Sequence, residues 1–150
     1  MDEPTINKAH GLFGNATRVD VTIHASPERV WKILTDAEGF TKWNSTVTEV
    51  RGRIAEGEKL LVRVPGYERT FTPTVSCVVD EKQMTWTGGM APFFKGVRTF
   101  MITPRPDGDT DFTMEERFSG LLVSLIEGAD FGPIFHRYAK DLKHEAEAAG

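Results

Sequence analysis

Apolar residues alternate with polar ones through most of the chain and change to a spacing of three and four near its end. From Arg18 to His24 every second residue is apolar, which predicts a half-buried strand. The tripeptide at 26–28, Ser-Pro-Glu, supplies a helix N-cap, a first-turn proline and an acidic first turn, so a short helix should follow. Asp36 is suitably placed to cap a second short helix.

Between residues 46 and 120 the pattern has a period of two and is interrupted by turn-forming residues, which predicts a succession of strands. Short connections between successive strands favour antiparallel pairing. The predicted strands are 47–54, 59–64, 70–79, 83–88, 96–103 and 111–119.

The last part of the chain has the pattern of an amphipathic helix. A sheet with one apolar face must cover that face, and this helix is the only predicted element large enough to do so. The sequence therefore predicts an α+β helix-grip fold, in which a curved seven-stranded antiparallel sheet wraps around a long C-terminal helix. The two short helices lie between strands 1 and 2, and an internal cavity is the expected consequence. The apolar face of the long helix carries Phe131, Ile134, Phe135, Tyr138 and Leu142.

Length and composition indicate one globular domain over residues 1–150, with 1–16 as a loose N-terminal segment. The net charge is −4 and the basic residues are scattered, so we expect no nucleic-acid partner. The one cysteine, Cys77, should be a small core residue. No apolar run approaches the roughly 20 residues that span a bilayer, and the N-terminus lacks the features of a secretory signal. We therefore expect a cytoplasmic monomer or homodimer without membrane insertion.

Several short motifs, taken in order, resemble the START-like (SRPBCC) superfamily of polyketide cyclases/dehydrases and lipid-transport proteins. They are IHASPERVW at 23–31, LTD at 34–36, WN at 43–44, GVRTF at 96–100 and ERFSGL at 116–121. The resemblance extends over nearly the whole chain after about Thr17 and implies the helix-grip fold.

The resemblance leaves the function open, because members of this superfamily bind sterols, lipids, hormones and polyketides and some are enzymes. The leading hypothesis is binding or carriage of a small, mostly apolar molecule of lipid, polyketide or aromatic type. The second is a polyketide cyclase or dehydratase, and the third is an interaction module like the activators of a chaperone ATPase. A similar bacterial subgroup often has histidine where this chain has Arg98 and Met114, which weakens the case for proton transfer here.

One charged residue interrupts the apolar face of the last strand. Met114, Glu116 and Phe118 share that face, so Glu116 requires a partner. If the preceding hairpin turn centres on Asp107, residues whose numbers sum to 214 lie opposite each other, and Arg98 faces Glu116. The pair would either pin the two strands together, contact a ligand oxygen, or exchange protons with a substrate.

The residues that we expect to line the cavity are aromatic and apolar side chains around this pair. Phe93 and Phe94 are further candidates, and the segment 88–94 is a candidate gate. For the enzyme hypothesis the catalytic candidates are Glu116, Arg98 and Tyr138. No two histidines have metal-ligand spacing, so we predict neither a metal nor another cofactor. The candidate ligand-binding residues are Arg98, Glu116, Phe100, Met114, Trp86, Phe71, Phe112, Ile134 and Tyr138.

Overall fold

The computed structural model describes residues 3–10, 14–66, 68, 70–90, 94–120 and 131–148. Its strands are β1 (Thr5–His10), β2 (Gly14–Ile23), β3 (Glu49–Arg51), β4 (Leu61–Arg63), β5 (Thr74–Val79), β6 (Gln83–Met90), β7 (Phe94–Pro104) and β8 (Thr110–Ser119). Its helices are α1 (Pro27–Leu34), α2 (Phe40–Trp43) and α3 (Gly132–Ala148), and a 3-10 turn occupies Ala37–Gly39.

The predicted fold class is confirmed, but the strands are distributed differently from the single seven-stranded sheet that we expected. Within the described residues the main sheet has six antiparallel strands in the order β1-β2-β8-β7-β6-β5, and β3 pairs with β4 in a separate two-stranded sheet. Two isolated bridges, Lys59 with Thr74 and Val62 with Phe71, connect the small sheet to the residues at the start of β5. Alternation predicts that a segment is a strand, but the choice of neighbour depends on distant parts of the chain.

The expectation of a loose segment over 1–16 is wrong where the structure describes it. Thr5–His10 forms edge strand β1, which pairs with β2 in a continuous antiparallel register. Ile6 is half-buried and packs against the core. The segment has little alternation of its own. Its strand conformation is therefore fixed by pairing with the long neighbouring strand β2 rather than by an apolar pattern.

The predicted helix caps are confirmed. The Ser26 hydroxyl accepts a hydrogen bond from the Arg29 backbone N–H at 3.2 Å, and Pro27 opens α1. The Asp36 carboxylate accepts one from the Gly39 backbone N–H at 3.3 Å, at the start of the 3-10 turn that leads into α2. These two caps fix the path of the chain between β2 and the small sheet.

Helix α3 covers the inner face of the main sheet, as its apolar stripe predicts. It packs against β1, β2 and β8 and contacts α1 and α2 at its edge. Its last turn is tied to α1 by Arg29, whose guanidinium donates to the Ala146 and Glu145 carbonyl oxygens at 2.6 and 3.2 Å. The buried residues of α3 are Gly132, Phe135, Tyr138, Ala139, Leu142 and Ala146.

The prediction that Cys77 is a core residue is wrong, because its side chain is exposed. A register irregularity between Ser76 and Val79 interrupts the pairing of β5 with β6, and Cys77 itself has a φ of 54°. A bulge of this kind inserts an extra residue and reverses the alternation of the strand. The inward-facing position that the sequence assigned to Cys77 is therefore lost.

Candidate functional site

The hairpin between β7 and β8 has the predicted register. Arg98 lies opposite Glu116, and Phe100 lies opposite Met114. The turn closes through a hydrogen bond from the Arg105 backbone N–H to the Asp109 carbonyl oxygen at 2.8 Å, and Gly108 adopts a φ of +92°, which favours glycine. A short turn of fixed geometry is what makes this register predictable from sequence.

Arg98 and Glu116 form an ion pair on the inner face of the sheet. The Arg98 Nε atom donates to Glu116 Oε1 at 2.5 Å. The side chains retain only 25% and 14% of their exposure, respectively, so the pair is largely withdrawn from water. Removing one member would leave the other as a poorly solvated charge.

The pair belongs to a row of residues that crosses four strands at one level. Thr17 on β2 lies opposite Glu116, Glu116 lies opposite Arg98, and Arg98 lies opposite Trp86 on β6. Thr17 and Trp86 are both buried. Because cross-strand neighbours project from the same face, these four side chains form a polar band within an otherwise apolar surface.

Helix α3 places two aromatic rings against the Arg98 guanidinium. Its central carbon lies 5.1 Å from the centroid of Phe135 and 5.8 Å from that of Tyr138. Both distances suit a cation–π interaction. Arg98 therefore connects the sheet to the helix that covers it.

Five aromatic side chains beside the pair form a closed circuit in which each ring contacts two others. The distances between the centroids of neighbouring rings lie between 5.0 and 6.2 Å. Such separations are typical of favourable aromatic pairs. We call this group the aromatic circuit, and its members in order of contact are Phe40, Trp43, Tyr138, Phe100 and Trp86.

Among the described residues, three buried polar atoms around this circuit have no hydrogen-bond partner: Asn44 Nδ2, Trp86 Nε1 and the Tyr138 hydroxyl. The orientation of the Asn44 amide is set by its oxygen, which accepts from the backbone N–H and the hydroxyl of Thr46 at 2.9 and 2.6 Å. A backbone N–H can only donate, so the amide nitrogen is the end left unpaired. Buried donors without partners are rare in folded proteins, so these three atoms require a partner such as buried water or a bound ligand.

The Tyr138 hydroxyl is held in its neutral form. Burial raises its pKa well above the ordinary value of 10. The nearby Arg98 charge lowers it, as does a polar contact with the Asn44 side chain that falls outside the geometry of a hydrogen bond. The negative charge of Glu116 adds to the rise in the pKa. At physiological pH Tyr138 is therefore a hydrogen-bond donor rather than a phenolate.

Most of the predicted lining residues lie on the inner face, where Phe100, Phe112 and Met114 are fully buried and Ile134 is half-buried. Phe71 lies apart from them at the junction with the small sheet, where its side chain is 45% exposed, and its contact with a ligand stays a prediction. Phe94 stacks on Phe118 at 5.5 Å. Phe93 and positions 91–93 of the candidate gate lie outside the described residues.

Sequence reasoning missed several residues of this site. Thr17 lies one residue before the predicted start of the strand at Arg18. It falls on the same face as the alternating apolar residues of β2, and that spacing is the signal that could have identified it. The sequence marks Asn44 only as part of the motif at 43–44, and nothing in its pattern singles out Phe40 as a site residue. Gly96 leaves room for the site, since a Cβ atom there would lie 3.3 Å from the Phe118 ring and 3.5 Å from the Glu116 carboxylate.

Two open depressions on the surface are lined by described residues, and neither is lined by Arg98, Glu116 or Tyr138. One lies beside Arg18 and Asp20, and the other is a shallow hollow between α1 and β5. The internal cavity that the sequence predicts therefore stays a prediction. In the described part of the chain no helix has the length and apolar character needed to cross a membrane. Nor do three His, Cys, Asp or Glu side chains group there as a metal site would require.

A six-stranded antiparallel sheet covered by a long C-terminal helix, with short helices after its second strand, defines the helix-grip class. The chain belongs to the family described as polyketide cyclase / dehydrase and lipid transport, whose model matches residues 16–147. No match was found among curated proteins.

Solved structures share this fold at low sequence identity. A protein from Rhodobacter sphaeroides has a TM-score of 0.72 at 16% identity, with 99% of this chain and all (100%) of that chain covered. A START superfamily protein from Mycobacterium smegmatis has a TM-score of 0.68 at 20% identity, with 90% and 99% covered. DynU16, from the dynemicin biosynthetic locus, has a TM-score of 0.70 at 18% identity, with 89% of this chain and 48% of that chain covered. These likenesses establish the fold and no ligand.

Proposed function

We propose that this protein binds or carries a small, mostly apolar ligand between its sheet and α3, with Arg98 and Glu116 as the polar anchor. The observation that carries the proposal is the ion pair itself, placed on the covered face of the sheet and beside buried aromatic rings. An ion pair in such surroundings contributes little net stability compared with apolar residues of the same size. A role in recognition accounts for its presence better than a role in folding.

The chemistry of the pair suits a ligand with one polar group on an apolar body. Only the Nε atom of Arg98 is used by Glu116, and the guanidinium carries further N–H donors in a fixed fork. The Glu116 carboxylate fixes that fork in place. Around it, Phe100, Met114 and Phe135 offer apolar surface to the rest of the ligand.

A second candidate is an enzyme that acts on a carbonyl substrate, as the family description and the biosynthetic setting of DynU16 suggest. Glu116 would then accept or return a proton, Arg98 would stabilise a developing oxyanion, and Tyr138 would donate a hydrogen bond. Arg98 contacts both of the others, through its hydrogen bond to Glu116 and through the Tyr138 ring of α3.

Native mass spectrometry of protein purified from its own host tests the carrier proposal. The informative variant is Arg98→Met with Glu116→Leu, which removes both charges and leaves neither unpaired. The matched control is Arg117→Met with Glu115→Leu, because that pair, at 2.8 Å, lies on the other face of the same strand. We expect a co-purifying small molecule in the wild type and the control, and its loss from the first variant. Protein free of ligand in every sample would contradict stable carriage.

Glu116→Gln distinguishes the enzyme candidate from the carrier. The amide keeps the size and the hydrogen-bonding oxygen of the side chain but cannot accept a proton at neutral pH. An enzyme would lose turnover of a co-purified substrate and still bind it, whereas a carrier shows no turnover in either form. Equal turnover by wild type and variant would exclude Glu116 as the base.

Residence in the cytoplasm, a monomeric or homodimeric state and the preference for lipid over other apolar ligands remain predictions from the sequence.

A further inference from the structure

The three buried donors that lack a partner among the described residues lie in the aromatic circuit or next to it in the chain. Trp86 and Tyr138 are members of the aromatic circuit, and Asn44 directly follows a third member, Trp43. Trp86 also lies opposite Arg98 in the register of β6 and β7. Three elements, α2 with its C-cap, β6 and α3, thus bring one neutral donor each to the same region.

The geometry points to a second polar subsite, in which Asn44, Trp86 and Tyr138 donate hydrogen bonds to an uncharged oxygen acceptor of the ligand, such as a ketone or enone carbonyl. This inference rests on the proposed binding function. A carbonyl oxygen has two lone pairs and no hydrogen to donate, so it can accept from two of these groups at a time. Trp86 Nε1 and Asn44 Nδ2 can only donate, and the Tyr138 hydroxyl, which can also accept, would act as a donor to the ligand. Rings at 5.0 to 6.2 Å around these donors favour a planar, conjugated body next to that oxygen.

The charges of the region select a neutral acceptor over a carboxylate. Arg98, which would attract an anion, is already neutralised by Glu116 at 2.5 Å. The Glu116 charge also acts at Tyr138, where it opposes ionisation of the hydroxyl. A ligand carboxylate would add a second negative charge to an aromatic, poorly solvated environment, which costs more free energy than a neutral carbonyl does.

Three probes of nearly the same shape test the subsite: 2-acetylnaphthalene, 2-ethylnaphthalene and 2-naphthoate. The first carries a neutral carbonyl, the second has no acceptor, and the third is an anion at pH 7. Isothermal titration calorimetry of each probe with the full chain gives three dissociation constants. We expect the ketone to bind about three- to tenfold more tightly than the ethyl compound, and naphthoate to bind most weakly.

Tyr138→Phe and Trp86→Phe identify the donors. Each should bring the ratio of the ketone and ethyl dissociation constants toward one. Trp31→Phe is the matched control, because Trp31 is buried to a similar degree in α1 but has no part in the aromatic circuit, and it should leave the ratio unchanged. The ratio is informative even if a variant weakens binding of both probes.

The outcomes separate the subsite from the function on which it rests. If the ethyl compound binds as tightly as the ketone, or naphthoate binds most tightly, the subsite is wrong and the binding function stands. If the ratio of the ketone and ethyl dissociation constants is unchanged in both Tyr138→Phe and Trp86→Phe, the subsite is also wrong. That result would indicate buried water as the partner of these donors. If none of the three probes binds, the proposed function fails for aromatic ligands and the subsite fails with it.

Discussion

Removing one member of the Arg98–Glu116 ion pair should destabilise the folded protein more than replacing both members with apolar residues. Arg98→Ala removes the counter-charge of Glu116, whose side chain is only 14% exposed in the wild type. We expect the free energy of unfolding to fall by about 2 kcal/mol, less than for a fully buried pair because Arg98 keeps a quarter of its exposure. Urea denaturation measures the change. The double change Arg98→Met with Glu116→Leu should lie within about 1 kcal/mol of wild type, and a loss as large as that of Arg98→Ala would refute this view.

The Tyr138 ring packs in the core, and a phenylalanine at this position would make the same ring contacts without burying a hydroxyl. Its hydroxyl is buried and makes no hydrogen bond within the described residues, so Tyr138→Phe removes a desolvation cost while keeping the ring contacts with Trp43 and Phe100. We expect the variant to be more stable by about 1 kcal/mol in thermal or urea unfolding. A comparable loss of stability would show that the hydroxyl has a hydrogen-bond partner in the free protein.

At the residue scale, the sequence predicts the charged pair but not the neutral donors. The pair follows from a charge on an apolar stripe and a short hairpin, both of which are local features. Asn44 and Trp86 lie 42 positions apart in the chain and meet only through tertiary packing. A local sequence pattern cannot show that a buried donor lacks a hydrogen-bond partner, because this depends on tertiary packing. This part of the site could therefore be found only from the structure.

At the scale of elements, the end of α3 is held by α1 through one side chain. Arg29 donates to two carbonyl oxygens of the last turn, which the helix itself leaves unpaired. We expect Arg29→Ala to lower the free energy of unfolding by about 1–2 kcal/mol and to speed amide hydrogen exchange in that turn. Lys32→Ala, an exposed change on the same helix, is the control. Equal exchange rates in the two variants would contradict the role of Arg29.

The same end of α3 makes stability depend on pH. Burial alone would raise the pKa of Glu147, but hydrogen bonds from Lys143 and from the His24 backbone N–H outweigh it, so the pKa lies below the ordinary value of 4.5. The folded state thus binds the proton less tightly than the unfolded state does. The stabilisation is present above about pH 4.5 and is lost as the pH falls through the folded pKa.

Acid titration of stability tests this assignment. The difference in unfolding free energy between wild type and Glu147→Gln should shrink as the pH falls below about 4.5. Glu145→Gln, in the same stretch of α3, serves as the comparison. A difference that stays constant from pH 7 to pH 3 would exclude Glu147 as the source.

Elements with strong local signals were predicted well, and those that depend on distant partners were not. The capped helices and the β7–β8 hairpin are set by turn and cap residues at fixed offsets. Strand β1 is defined by its pairing with β2. Strands β3 and β4 form a small sheet of their own, and a bulge in β5 turns Cys77 outward. None of these three outcomes follows from alternation alone.

At the scale of the whole molecule, the two faces of the main sheet differ in the residues that they carry and in what those residues contribute. The outer face carries exposed ion pairs such as Arg18 with Asp20 and Arg117 with Glu115, which are worth little to stability. The inner face carries the core, the Arg98–Glu116 pair and the three unpaired donors. Family membership accounts for the architecture, whereas this arrangement of inner-face residues is what the proposed function depends on.

The most direct test of the central claim is a proton–nitrogen correlation spectrum recorded during titration with 2-acetylnaphthalene. The three tryptophan indole N–H signals report on three places, and single Trp→Phe variants assign them. A ligand held beside Arg98 and the aromatic circuit should shift the Trp86 and Trp43 indole signals and the Arg98 Nε–H signal, and leave Trp31 unchanged. A shift confined to Trp31 would place the ligand outside the inner face and contradict the account.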